Sequence, residues 1–124
     1  RLYPWGPTAP GATPALANCI DSDDSPLVPV GSHSLGAGRW GHQDLAGGLQ
    51  EWVLDAYDGS WYSGAGKVCN NCANLDGTQE ERLNRGGAWT DIYLNSVFRA
   101  ASRERMEPSN TFNDAQGFRC ARSP

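Results

Sequence analysis

Six prolines fall within the first thirty residues, at positions 4, 7, 10, 14, 26 and 29. Proline fixes φ near −65° and removes a backbone donor, so a segment interrupted this often can build neither a helix interior nor a central strand. Gly, Ala, Ser and Asp fill most of the spaces between them, and no apolar residue recurs at helical spacing before residue 39. The first third is therefore read as irregular chain. Trp5, Leu16, Ile20, Leu27 and Val30 are available to pin it onto a core formed elsewhere, so it is expected to be ordered loop, not free linker.

That core has to come from the remaining residues. The first dense apolar stretch is 39–57, with Trp40, Leu45, Leu49, Trp52, Val53, Leu54 and Tyr57. Within it, 49–54 reads as a short strand leaving a turn at Gly47-Gly48. Residues 58–80 return to Gly, Ser and Asn and read as a surface excursion. A second strand is expected over Leu83–Trp89, where the internal Gly86-Gly87 signals a close backbone approach or a bulge. Residues 91–105 have some helical propensity, although Asp91 and Asn95 fit poorly on one apolar face. Gly117 to Arg122 reads as a closing strand. Short strands, long ordered loops and little helix together give an α+β class with much irregular structure.

A 124-residue chain is one domain or part of one. At that size a fold buries only roughly two thirds of its unfolded surface, which favours additional staples. The four cysteines, Cys19, Cys69, Cys72 and Cys120, are even in number and point to disulfides in an oxidising compartment. Cys69-Asn70-Asn71-Cys72 also has the spacing of half a zinc site or a redox pair. A second such motif or paired histidines for zinc are missing, since His33 and His42 stand alone. The net charge of −4 and the dispersal of the arginines among carboxylates argue against nucleic acid as a partner. No apolar run approaches the ~18 residues of a membrane span. The opening Arg1-Leu2-Tyr3, with neither Met nor signal peptide, reads as an internal start, the natural N-terminus lying upstream.

A series of short motifs carries a family resemblance. In order they are Tyr3-Pro4-Trp5-Gly6, Ala17-Asn18, Val28-Pro29-Val30-Gly31 and Asp44-Leu45-Ala46-Gly47-Gly48-Leu49-Gln50-Glu51-Trp52. Arg85-Gly86-Gly87-Ala88-Trp89, Arg99-Ala100-Ala101-Ser102-Arg103 and Gly117-Phe118-Arg119-Cys120-Ala121 complete it. The succession resembles the second half of the formylglycine-generating-enzyme (sulfatase-modifying-factor) family. It implies a C-type-lectin-like fold, with residues 1–124 as the C-terminal portion of a single domain. The N-terminal half is then expected upstream or from a partner chain.

The resemblance also implies a reaction, copper-dependent oxidation of a sulfatase cysteine to formylglycine. Cu(I) requires soft thiolate ligands. The two positions where the family carries them fall at about Asp91 and Ser96, and no cysteine lies between Cys72 and Cys120. Copper is therefore not expected. The favoured expectation is a secreted, non-catalytic binding or assembly module that presents its loops to a protein, a glycan or its own copies. The alternative is a sulfatase-modifying oxidoreductase or a subunit of one.

Structural calcium is the cofactor the resemblance implies. Its ligands would be Asp44, the Ala46 carbonyl, Gly48 in place of the family's Asn, and Glu51. A second site would use Asn18, the Cys19 carbonyl and an acid such as Asp21. The alternative for both is an ordinary acidic turn. Trp40, Trp61 and Tyr62 lie in Gly/Ser-rich loops and are the candidate ligand surface, with core packing as the competing role. Arg99, Arg103 and Arg119 match family arginines that brace loops. The expected disulfides are Cys69 with Cys72 and Cys19 with Cys120.

Overall fold

The computed structural model describes residues 1–12, 16–17, 28–70, 72–91, 95–108 and 114–120. Four strands make a small mixed sheet: β1 (Gln50–Ala56), β2 (Arg82–Arg85), β3 (Glu104–Met106) and β4 (Gln116–Phe118). Their spatial order is β3-β2-β1-β4. The β1–β2 and β2–β3 pairs are antiparallel, whereas β4 runs parallel to β1 with Glu51 opposite Gly117. Among the described residues helix is limited to short 3-10 turns at Ser34–Gly36, Trp61–Ser63 and Ala65–Val68.

The strand expected to reach Trp89 ends at Arg85. Gly86 and Gly87 have φ of +94° and +66°, a region that side chains with a Cβ enter only at a cost, so the chain leaves the sheet there. The diglycine at 47–48 is also left-handed, with φ of +83° and +72°. The two turns bond directly to each other, Gly47 N–H donating to Gly86 O (2.9 Å) and Trp89 N–H to Gly48 O (2.8 Å). Within 91–105, whose residues 92–94 lie outside the described ones, residues 95–100 form turns and a bend, and Glu104–Met106 pairs with β2. The closing strand is shorter than expected, since Arg119 lies outside it.

The irregular N-terminal segment is pinned to the core through Tyr3, Trp5 and Leu16, whereas Val30 is exposed. Tyr3, Ala46, Val97 and Phe98 form a buried cluster against which Trp5 packs, and the Tyr3 and Trp5 rings stack at 5.5 Å. The turns around Gly87 close over the same cluster. A Cβ at Gly87 would lie 2.7 Å from Val97 Cγ2 and 2.9 Å from two ring carbons of Phe98. The long excursion after β1 is tied back at its base. Asn74 is buried, takes Ala56 N–H on its carbonyl and returns its side-chain amide to Ala56 O.

Gly87→Ala combines backbone strain with overpacking and is expected to cost about 2–5 kcal/mol, a large share of a small domain's stability. Gly77→Ala, where a Cβ meets nothing within 4 Å, is expected to be near neutral. Urea unfolding of both variants beside the parent checks this.

Candidate functional site

The two faces of β1 and β2 are chemically different. Register places Glu51 opposite Arg85 and Trp52 opposite Asn84, so Glu51, Val53, Leu83 and Arg85 share one face. Gln50, Trp52, Asn84, Glu104 and Gln116 share the other.

On the first face Arg119 acts as a clip. Its Nε–H donates to both Glu51 carboxylate oxygens (2.9 and 2.7 Å), and an Nη donates to Oε1 at 2.5 Å. The remaining donors reach the carbonyls of Gln43 (3.1 Å) and Asp44 (2.7 Å). One planar guanidinium thus fixes the 43–44 loop to β1 just beyond β4. Its pKa is raised above the ordinary arginine value, chiefly by the Glu51 hydrogen bonds. Of the expected calcium ligands, then, Glu51 is engaged by Arg119. Asp44 has φ of +55° and accepts the Gly31 N–H on its Oδ2 (2.8 Å). Ala46 is buried, and the Gly48 carbonyl accepts from Trp89. The second candidate set, Asn18, Cys19 and Asp21, lies outside the described residues.

This face opens into a cleft of about 820 Å³. The sheet forms one side, and the 38–42 loop, the N-terminal segment and the 98–100 turn form the others. Trp40 stands on its rim, 79% exposed, with the Arg39 guanidinium 5.6 Å from its ring centroid. Arg85 reaches across to the carbonyl of Ala100. Burial first, and then repulsion from Arg103, pull the Arg85 pKa below its ordinary value, with Tyr62 and Asp55 opposing.

Trp61 and Tyr62, expected beside Trp40, sit elsewhere. The Trp61 indole lies against Gly66, where a Cβ would come within 2.4 Å of its Nε1. Tyr62 donates its hydroxyl to Asp55 Oδ1 (2.5 Å) and lies under the Arg103 guanidinium at 4.3 Å. Arg103 also donates to the Ala101 carbonyl. The three aromatics therefore do not make one surface.

On the opposite face Gln50 donates to Glu104 at 2.8 Å, a bond that spans β2 above Asn84. Asn84 is fully buried, and neither polar atom of its side chain finds a partner among the described residues. The Glu104 pKa is raised, first by burial and then by the charge of Asp91. Sequence reading did not identify this cluster; the signal was the strand register, which places residues 50, 84 and 104 side by side.

Asp91 accepts the Ala88 N–H on its Oδ2 (2.7 Å), and Ser96 is exposed. Both offer hard oxygen, a donor set that does not fit Cu(I). Cys69 and Cys72 form the expected disulfide. Cys120 is exposed with a free thiol; its expected partner Cys19 lies outside the described residues. Among the described residues no group of three or more His, Cys, Asp and Glu side chains could hold a metal.

Residues 1–124 match the family model described as the sulfatase-modifying factor enzyme 1-like domain. The chain belongs to the sulfatase-modifying factor family. One curated relative is a hercynine oxygenase from Mycolicibacterium thermoresistibile, 30% identical over 103 residues, covering 72% of this chain and 20% of the relative. Another is the serine/threonine-protein kinase pkn1 of Chlamydia caviae, 31% identical over 106 residues, covering 86% of this chain and 16% of the kinase. The chain thus spans about a fifth or less of these relatives' length.

A pH dependence follows from Glu104. Its folded-state pKa lies above its unfolded value, so in the window between the two the native state keeps a proton that the unfolded chain has lost. Stability therefore falls as pH rises through that window. Glu104→Gln retains an acceptor for Gln50 and removes the charge. The variant is expected to melt above the parent at pH 7, with the gap closing as pH falls below the ordinary carboxylate range. Thermal melts from pH 4 to 8 measure it.

Proposed function

We propose that this sulfatase-modifying factor domain is a non-catalytic, exported binding module with the C-type-lectin-like arrangement its family resemblance implies. One observation carries the reading. At the positions where oxidase chemistry needs two thiolates, the chain has Asp91, already committed to the Ala88 amide, and the hydroxyl of Ser96. Its four cysteines stand elsewhere in the sequence, at positions 19, 69, 72 and 120; Cys69 and Cys72 are joined to each other on the excursion, and Cys120 follows β4. The Cys69–Cys72 disulfide supports an oxidising location. Binding would fall to the loops around the first sheet face, which are irregular in backbone and varied in side chain. The family names of the two relatives, an oxygenase and a kinase, attach to proteins of which this domain is a small part, so neither activity is carried over.

Incubation with Cu(I) and a cysteine-containing sulfatase peptide is expected to leave the peptide mass unchanged and to give no stoichiometric copper uptake. Conversion of the cysteine to formylglycine overturns the reading in favour of a sulfatase-modifying oxidoreductase or its subunit.

Calcium belongs to this proposal in a specific form. At the turn comprising Asp44, Ala46, Gly48 and Glu51, the ion and the Arg119 guanidinium are alternative counter-ions for Glu51, because both need the same carboxylate. Arg119→Ala frees that carboxylate. Calcium is expected to raise the melting temperature of this variant by more than that of the parent, and Glu51→Ala to remove the effect. Melts that chelator leaves unchanged in both the parent and Arg119→Ala end the idea.

A further inference from the structure

The cations of this acidic chain are not evenly placed. Five of its ten Lys and Arg residues, Arg1, Arg39, Arg85, Arg99 and Arg119, line one cleft beside β1 and β2. Among the described residues only one of the fourteen Asp and Glu side chains, Glu51, lines it with them. Glu51 is already neutralised by Arg119, which leaves Arg1, Arg39, Arg85 and Arg99 without a carboxylate in the cleft. Half-buried Arg85 meets a further repulsion from Arg103, opposed by Asp55 and Tyr62, which do not line the cleft. A recess lined by an excess of positive charge concentrates and holds anions.

Two features narrow the kind of anion. The strands beneath the cleft, β1 and β2, are the two central strands of the sheet, hydrogen-bonded on both sides. An extended peptide cannot add to them by backbone pairing, which needs an exposed sheet edge, so recognition must come through side chains. Those present are guanidinium forks, which match carboxylate and sulfate oxygens in pairs. With them is one flat indole, Trp40, 79% exposed at the rim. A pyranose ring has an apolar C–H face that stacks on such a surface while its acidic substituents point sideways. The volume, about 820 Å³, lies within the usual range of ligand pockets.

We propose that this cleft binds an anionic oligosaccharide, its carboxylate or sulfate groups held by Arg39, Arg85 and Arg99 and one ring stacked on Trp40. The proposal rests on the reading of the domain as a binding module and names the ligand class of its first sheet face.

Calorimetric titration of the intact chain tests it with four probes: a heparin-derived tetrasaccharide, a tetragalacturonate, neutral maltotetraose and hexaglutamate. At least one acidic sugar is expected to bind, the sulfated and uronate probes showing which anion is preferred. Maltotetraose should give no heat, and raising NaCl from 50 to 300 mM should weaken binding at least tenfold, as screening requires. Trp40→Ala and Arg99→Ala, both at exposed positions, are each expected to lower affinity at least tenfold while melting like the parent. The proposal is overturned by silence from both acidic sugars, by hexaglutamate binding as tightly as either, or by Trp40→Ala and Arg99→Ala variants that bind normally. None of these results touches the non-catalytic reading, which stands or falls on the sulfatase-peptide assay.

Discussion

The two diglycine turns hydrogen-bond to each other, and most of the structure depends on that contact. Gly47 to Gly86 and Gly48 to Trp89 are linked by backbone bonds at positions where all four glycines are left-handed. A methyl at Gly86 would press on the Leu45 carbonyl of the facing turn at 3.1 Å, and one at Gly87 would collide with Val97 and Phe98. Because the turns touch, β1 and β2 begin in register. Ala46 is brought onto the Tyr3–Phe98 cluster, and the 43–44 loop stands close enough to β4 for Arg119 to reach it. A fold with few apolar residues per strand gains its definition from backbone contacts of this kind rather than from a large core.

Electrostatics then divides the molecule. The Arg119 clip is multidentate and partly exposed, so its value lies more in fixing loop geometry than in bulk stability. It consumes the one carboxylate in the cleft among the described residues, while Arg1, Arg39 and Arg99 stand exposed and Arg85 is half-buried. On the opposite face the polarity is reversed. Gln50, Asn84 and Glu104 gather neutral amides and a reluctant carboxylate with no cation among the described contacts of that group. The chain's modest net charge conceals both arrangements.

How much of this was legible in the sequence depends on the range over which each feature is decided. Gly47-Gly48 followed by Leu49–Leu54 marked β1, and the prolines marked the irregular first third, because turn chemistry and missing donors act locally. The ordered motifs identified the family for the same reason. Gly86-Gly87 was recognised as special, yet the strand was extended through it. Whether a diglycine bulges or terminates a strand depends on what approaches it, here Leu45, Val97 and Phe98. The pairing of β3 was invisible, since three residues opposite Arg82–Asn84 outweigh a weak helical preference only in three dimensions. The candidate surface divided in the same way: sequence left Trp40 and Tyr62 alike between ligand surface and core packing, whereas the structure exposes Trp40 and holds Tyr62 by Asp55 and Arg103. The gathering of arginines from positions 39, 85 and 99 is a property of the topology, and linear spacing shows only their dispersal.

The parallel alignment of β4 with β1 carries a kinetic meaning. Gln50 and Gln116 are neighbours in space, so the sheet closes only by joining segments separated by most of the chain, past a loop whose ordering costs entropy before any contact repays it. On the ribosome, β1 and β2 emerge before β4 and can pair, but Glu51 has no Arg119 and its flank no β4 until residues 116–119 leave the exit tunnel. Until then β1 presents an unpaired edge beside partly exposed Trp52 and Leu54, a template for pairing with a neighbouring nascent chain. Synthesis of this domain therefore passes through an interval in which its central strand is an edge strand, and the arrival of β4 ends it.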